Sequence, residues 1–187
     1  MATPDRASAK AFYAGLLGWQ AQDVPMGPAE TYTLFQIAGK SAAGAFDLSH
    51  VKQPGVPPHW MIYVAVASAD GAAARAAELG ATVVVPPLDV PGQGRMTVLR
   101  DPTGAHFSLW QANPNPGLEV SGPNTLCWAD CMTPDPARAA EFYRALFGWK
   151  LAAAPKDPSG YLHIQIGETY IGGVPPVESH GRGIPPH

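Results

Sequence analysis

Charge is scarce in this chain. Only 14% of its 187 residues are Asp, Glu, Lys or Arg, and 12 basic residues stand against 15 acidic ones, for a formal net charge of −3 at pH 7 and a pI near 6.0. Such a thin, slightly acidic charge gives no electrostatic footing for nucleic acid or an anionic membrane, so neither is expected as a partner. Long apolar runs are missing as well, since the longest, Trp60 to Ala67, is far too short to span a bilayer. The opening Met-Ala-Thr-Pro-Asp-Arg lacks the basic-then-apolar layout of a secretory leader, which predicts a cytoplasmic protein. Cysteine is nearly absent. Cys127 and Cys131 lie in a run that reads as a strand, and at about 3.3 Å per residue their Cα atoms are roughly 13 Å apart, beyond disulfide reach. Two ordinary thiols are expected.

What the chain does have is apolar residues, at 46%, and turn formers, with 20 glycines and 21 prolines. Dispersed as they are, these imply a folded chain of many short strands joined by turns. It also has an internal repeat. Thr3 to Trp19 aligns with Thr133 to Trp149 at 10 of 17 positions: Thr, Pro, Asp, Ala, Ala, Phe, Tyr, Leu, Gly and Trp. Tyr32-x-x-x-Gln36-Ile37 recurs as Tyr161-x-x-x-Gln165-Ile166, and Gly55-Val-Pro-Pro-His59 as Gly183-Ile-Pro-Pro-His187. The repeat is therefore about 130 residues long and the chain holds about one and a half copies, a pattern that reads as truncated at both ends.

Thr3 and Thr133 are read as helix N-caps, each followed by Pro and Asp. Ala9, Phe12, Tyr13, Leu16 and Leu17 then form an apolar stripe closed by Gly18, and Ala139, Phe142, Tyr143, Leu146 and Phe147 repeat it before Gly148. A third, Ala-rich helix is predicted over 70–79. Alternation and turn punctuation predict strands near 31–37, 43–48, 59–67, 82–86, 95–100, 105–111, 124–132, 161–167 and 169–174. The first copy of the repeat is expected to lack its opening strand. Along these strands one face is apolar: Trp60, Ile62, Val64 and Val66; Thr33, Phe35 and Ile37; Leu162, Ile164 and Ile166. The other face mixes aromatic, His, Gln and Met side chains, which suits a ligand-cavity wall.

The doubled Thr-Pro-Asp-x-x-x-Ala-x-x-Phe-Tyr with Leu-(Leu/Phe)-Gly-Trp, the strand Trp60 to Val66 and Asp101-Pro-x-Gly104 resemble the vicinal oxygen chelate superfamily, the glyoxalase, bleomycin-resistance and extradiol dioxygenase group, of the tandem glyoxalase-like type. The resemblance covers almost the whole chain. It implies an α+β fold of repeated βαβββ modules, their sheets curled into a half-barrel cup with helices on the convex face. It implies a first glyoxalase-like domain over 1–115, made of a module lacking its first strand (1–55) and a complete module (56–115), and a single module over 116–187 as the first half of a second domain.

Metal sites in this family, on the same resemblance, take His or Gln from a module's first strand and Glu from its last. Here those positions fall on Met61, Ser108 and Trp128 or Asp130, which do not supply three or four fixed N/O ligands. The preferred expectation is a metal-free cup that binds a small molecule and uses no cofactor. Its candidate lining is Tyr32, Gln36, Met61, Tyr63, His106, Ser108, Trp110, Trp128, Asp130, His163 and Gln165. Two alternatives stand beside it. One is a metal-dependent lyase or dioxygenase with irregular ligands such as His59, His106, Asp130 or His163. The other is a truncated module whose main property is assembly through its unpaired module as an obligate dimer; a homodimer, with strand or module exchange, is expected as a partner on any of the three readings. His59 and His187, each after Pro-Pro, also read as strand-start residues with a turn hydrogen bond, and Asp47 as a turn carboxylate.

Overall fold

The structure, a computed structural model, describes residues 1–26, 30–51, 55–155, 157–179, 181 and 183–187. It is α+β, with three mixed four-stranded sheets and three helices among the described residues. The chain falls into two compact units. Unit 1 is Met1–Met61 with Pro114–Leu126, and unit 2 is Ile62–Asn113 with Cys127–His187. The division expected at 115 follows the order of the repeat, whereas compactness follows packing.

In unit 1, β1 (Ala2–Thr3), α1 (Arg6–Leu17), β2 (Gln20–Pro25), β3 (Thr31–Ile37) and β4 (Lys40–Asp47) form a sheet in the order β1-β4-β3-β2. The opening strand expected to be missing is present as a stub, with Ala2 and Thr3 paired parallel to Phe46 and Asp47. The alternation of β3 works as predicted: Thr33 and Phe35 are fully buried, and Phe35 joins Trp19, Ala42 and Ala45 in the core. The segment Pro114–Leu126 belongs to this unit through paired bonds. Glu119 N–H donates to Ser41 O (2.9 Å), Ser41 N–H donates to the Glu119 carboxylate (3.0 Å), and Trp19 Nε1–H donates to Asn124 O (2.8 Å).

Unit 2 holds two complete βαβββ sets. The first is β5 (Tyr63–Ala65), α2 (Ala69–Glu78), β6 (Thr82–Val90), β7 (Gly94–Arg100) and β8 (His106–Ala112), in the order β5-β8-β7-β6. The second is β9 (Ala129–Asp130), α3 (Pro136–Phe147), β10 (Lys150–Ala153), β11 (Leu162–Ile166) and β12 (Thr169–Val174), in the order β10-β11-β12-β9. One core runs through both, joining Ala73 and Ala76 of α2, Leu99, Phe107 and Leu109 of the first sheet, Ala139, Phe142 and Tyr143 of α3, and Leu151, Ile164 and Val174 of the second.

Several expectations are corrected. The caps of α1 and α3 are Asp5 and Asp135, whose carboxylates accept from Ser8 N–H (2.9 Å) and Arg138 N–H (3.0 Å). Thr3 and Thr133 hold the turn before the helix instead, each hydroxyl accepting from the N–H of its Asp. The aspartate wins because its carboxylate reaches the first helical turn and suits the positive end of the helix dipole. Gly18 and Gly148 end these helices in the left-handed region (φ 71° and 69°) as predicted. The runs 59–67 and 124–132 shrink to Tyr63–Ala65 and Ala129–Asp130 as strands. Trp60, assigned to the helix-covered face, instead belongs to unit 1, where its Nε1–H donates to Tyr13 Oη (3.1 Å); Ile62 is exposed, whereas Val64 and Val66 do meet the core. Strands β2 and β10 escaped prediction because each is an edge strand held by backbone pairing: β2 is largely polar and exposed, and β10 is four residues long with Leu151 alone buried, too short to show alternation. Strand β6 runs on through Pro86 and Pro87 because it is an edge strand whose pairing to β7 shifts register there.

Asp101 holds the middle of unit 2. It is buried, and its Oδ1 accepts from Thr103 N–H, Thr103 Oγ1–H and Ala105 N–H, closing the turn between β7 and β8. Its Oδ2 accepts from Tyr143 Oη–H of α3 (2.9 Å). Both cysteines are free, Cys127 exposed and Cys131 beside this cluster. Burial first, then the Asp101 charge, push the Cys131 thiol from an ordinary 9.0 up to about 12, and burial holds the Tyr143 phenol well above its usual range.

Asp101→Ala should cost unit 2 about 3 kcal/mol in urea denaturation and Tyr143→Phe about 1 kcal/mol, the pair losing less than their sum because they share a bond. A raised thiol contributes stability that is complete below its unfolded pKa. Stability of unit 2 should therefore hold up to pH 9.0 and fall as pH climbs toward about 12. Cys131→Ala should flatten that fall, and a thiol reagent should label Cys127 alone until the protein unfolds.

Candidate functional site

Each sheet lays an aromatic ring over a bare glycine on the neighbouring strand. In unit 1 a Cβ on Gly44 of β4 would stand 2.0 Å from the hydroxyl of Tyr32 on β3. In the first sheet of unit 2 a Cβ on Gly94 would stand 2.6 Å from the Trp110 ring, and in the second a Cβ on Gly173 would stand 2.1 Å from the Tyr161 hydroxyl. At Gly44 and Gly173 any side chain would evict the ring, and at Gly94 it would also meet the Gln111 carbonyl oxygen at 2.5 Å. The glycines thus decide where the aromatic groups lie.

The second sheet of unit 2 gathers the richest cluster. Register places Asp130 of β9 beside Gly173 of β12 and Gly173 beside His163 of β11, so all three share one face. Tyr161 lies across the gap left by Gly173, and its hydroxyl donates to Asp130 Oδ1 (2.5 Å). Trp128 Nε1–H reaches both Asp130 Oδ1 (2.9 Å) and Tyr161 Oη (2.8 Å), closing a triangle. The His163 ring stands edge-to-face against Tyr161 (4.8 Å between centroids), Tyr170 (5.6 Å) and Trp128 (6.1 Å). His163 Nδ1 is buried and has no hydrogen-bond partner among the described residues. Burial, and then the bond to Asp130, push the Tyr161 phenol up to about 12, so it stays a donor at neutral pH.

The first sheet carries a smaller group. Strand β5 runs parallel to β8 with Tyr63 opposite Ser108, and the Tyr63 ring meets Trp110 edge-on at 6.4 Å. Ser108 is fully buried and its Oγ has no hydrogen-bond partner among the described residues. Burial raises the Tyr63 phenol, and the nearby Ser108 opposes that rise.

Of the sequence candidates, Trp128, Asp130 and His163 meet in one cluster and Tyr63, Ser108 and Trp110 in another. Tyr32 and Gln36 lie in unit 1, where Gln36 follows a register shift in β3. Gln165 follows the same kind of shift in β11, His106 is exposed at the start of β8, and Met61 lies outside any strand. The residue that faces Ser108 is Tyr63. Tyr161 and Tyr170 were missed as site residues. The signal for Tyr161 was its recurrence with Tyr32 at the head of the Tyr-x-x-x-Gln repeat.

A divalent ion does not fit these faces. Where first and last strands meet, the pairs are Tyr63 with Ser108 and Asp130 with Gly173, and among the described residues no three His, Cys, Asp or Glu side chains gather around a point. His59 and His187 turn Nδ1 to the carbonyls of Pro57 and Pro185, each at 2.9 Å, the turn bond expected of strand-start residues. Asp47 likewise caps a turn at Ser49 N–H (2.9 Å).

Residues 1–109 match the model of the Glyoxalase/Bleomycin resistance protein/Dioxygenase superfamily. The chain is 32% identical over 192 residues to "Putative glyoxylase CFP32" of Mycobacterium tuberculosis, covering 99% of this chain and 71% of that protein. It is 33% identical over 203 residues to the anthracycline biosynthesis protein DauV of a Streptomyces species, covering 100% of this chain and 72% of the relative. In fold it is similar to the Mn(II)-bound glyoxalase from Novosphingobium aromaticivorans, with a TM-score of 0.66 and 17% identity over 94% of this chain and 59% of that one. The chain thus spans less than two thirds of that solved structure.

Gly173→Ala should cost about 2 kcal/mol by displacing Tyr161, and far less in a Tyr161→Ala background, as denaturation of the four variants of the cycle will measure.

Proposed function

Because this chain belongs to the glyoxalase, bleomycin-resistance and dioxygenase superfamily, we propose that it binds a small, flat molecule on the aromatic faces of its sheets and does so without a metal ion. The observation that carries this reading is the cluster of Trp128, Tyr161, His163 and Tyr170 around Asp130. Trp128 and Tyr170 are 39% and 55% exposed, more than rings that serve only as core filling. A planar ligand laid on them would bury apolar area on both sides and gain the edge and face contacts that aromatic pairs prefer. The fixed triangle of Asp130, Tyr161 and Trp128 would orient it, since a few placed polar groups in an apolar wall give a ligand its register.

The donor chemistry supports the metal-free part of the reading. A paired hydroxyl and phenol at Ser108 and Tyr63, and a carboxylate opposite a glycine at Asp130, are a poor set for a divalent ion. DauV, named for anthracycline biosynthesis, is 33% identical to this chain over 203 residues, and a fused-ring ligand suits a wall of rings.

Elemental mass spectrometry on untagged protein purified without chelator should find no stoichiometric metal, before or after incubation with zinc, nickel, manganese and ferrous iron. One bound ion per chain would overturn the metal-free reading. A panel of flat aromatic compounds should quench the tryptophan fluorescence saturably, and Trp128→Phe should remove most of the response.

A further inference from the structure

The proposed binding face is built around one carboxylate that, among the described residues, has no ion-pair partner. Asp130 is exposed, and both of its hydrogen bonds, from Tyr161 Oη–H and Trp128 Nε1–H, fall on the same oxygen, Oδ1. Both donors are neutral. They fix the carboxylate in place and leave its charge intact. Among the described residues the ion pairs involve Asp23, Asp70, Asp89 and Glu78 and none involves Asp130, so no Lys, Arg or His nitrogen lies within 4.0 Å of it.

Aromatic rings stand on the same ground. Trp128, Tyr161 and Tyr170 surround His163, and two of the three are substantially exposed. The faces of indole and phenol rings carry negative potential. Among the described residues this carboxylate meets no counter-charge, and held beside three electron-rich rings it repels anions. It favours a positive charge spread over an apolar group.

Resting on the small-molecule reading above, we infer that this face takes an organic cation: a protonated amine or quaternary ammonium carried on an aromatic body, its charge against Asp130 and its ring against Trp128 and Tyr170. The triangle sets the geometry for this. Tyr161 and Trp128 hold Asp130 on one edge, and Gly173 lets the Tyr161 ring lie flat on the sheet.

Two probes of the same ring and length separate the charge from the ring: benzylammonium and benzyl alcohol, each titrated by calorimetry and tryptophan fluorescence. Wild-type protein should bind benzylammonium about tenfold more tightly than benzyl alcohol. Asp130→Asn keeps an oxygen to accept from Tyr161 and Trp128 and removes only the charge. It should abolish the preference for the ammonium and leave the alcohol unchanged. Tyr161→Phe, which removes one of the carboxylate's two tethers and leaves Trp128, should reduce the preference in part and provides a second variant if Asp130→Asn misfolds. Equal binding of the two probes, or a preference that survives Asp130→Asn, overturns the cation inference while the binding reading stands. Failure of both probes to saturate, with flat aromatic compounds also failing, overturns both.

Discussion

A strand residue without a side chain is the constraint on which the aromatic faces of the sheets depend. Glycine inside a strand costs backbone entropy and packs nothing of its own, yet each of the three sheets keeps one where a ring lies across it. The ring covers the bare backbone and is in turn held flat against the sheet. In the second sheet of unit 2 this brings the Tyr161 hydroxyl to Asp130, Asp130 to Trp128, and all of them to the edge of His163. A methyl group at Gly173 would remove the support for the whole cluster.

A different interaction holds unit 2 behind that face. Asp101 closes a turn with one oxygen and receives α3 with the other, so a single buried carboxylate ties a strand connection to a helix from the next βαβββ set. The acceptor is fully used, which is what makes its burial tolerable. The same dry surroundings keep Cys131 and Tyr143 un-ionised, which suits them to packing and makes them poor nucleophiles.

The duplicated helices show how little local sequence says about burial. Helices α1 and α3 share their Ala, Phe, Tyr and Leu stripe, and both end in a left-handed glycine. Phe142 is 4% exposed in the core of unit 2, whereas its counterpart Phe12 is 59% exposed and Leu16 61%. The stripe states which side of a helix is apolar. Whether that side is covered depends on what the rest of the chain brings to it.

The amino-acid sequence by itself determined the things that are local or periodic. The alternation at Thr33 and Phe35, the glycines that stop the helices, the turn at Asp101-Pro-Thr-Gly104 and the repeat with its family were all legible, because each is written in a few neighbouring residues or in their recurrence. Tertiary structure alone decided the rest. Strands β2 and β10 exist because neighbouring strands offer backbone partners, and Trp60 left its expected face for unit 1, where its indole N–H donates to the Tyr13 hydroxyl. That Tyr63 lies opposite Ser108 was decided by parallel register, set by hydrogen bonding across strands more than forty residues apart in the chain. The site followed the same rule. Trp128, Asp130 and His163 were legible as side chains on mixed faces, but their union through Tyr161 needed a glycine from a third strand, and no window of sequence contains all five.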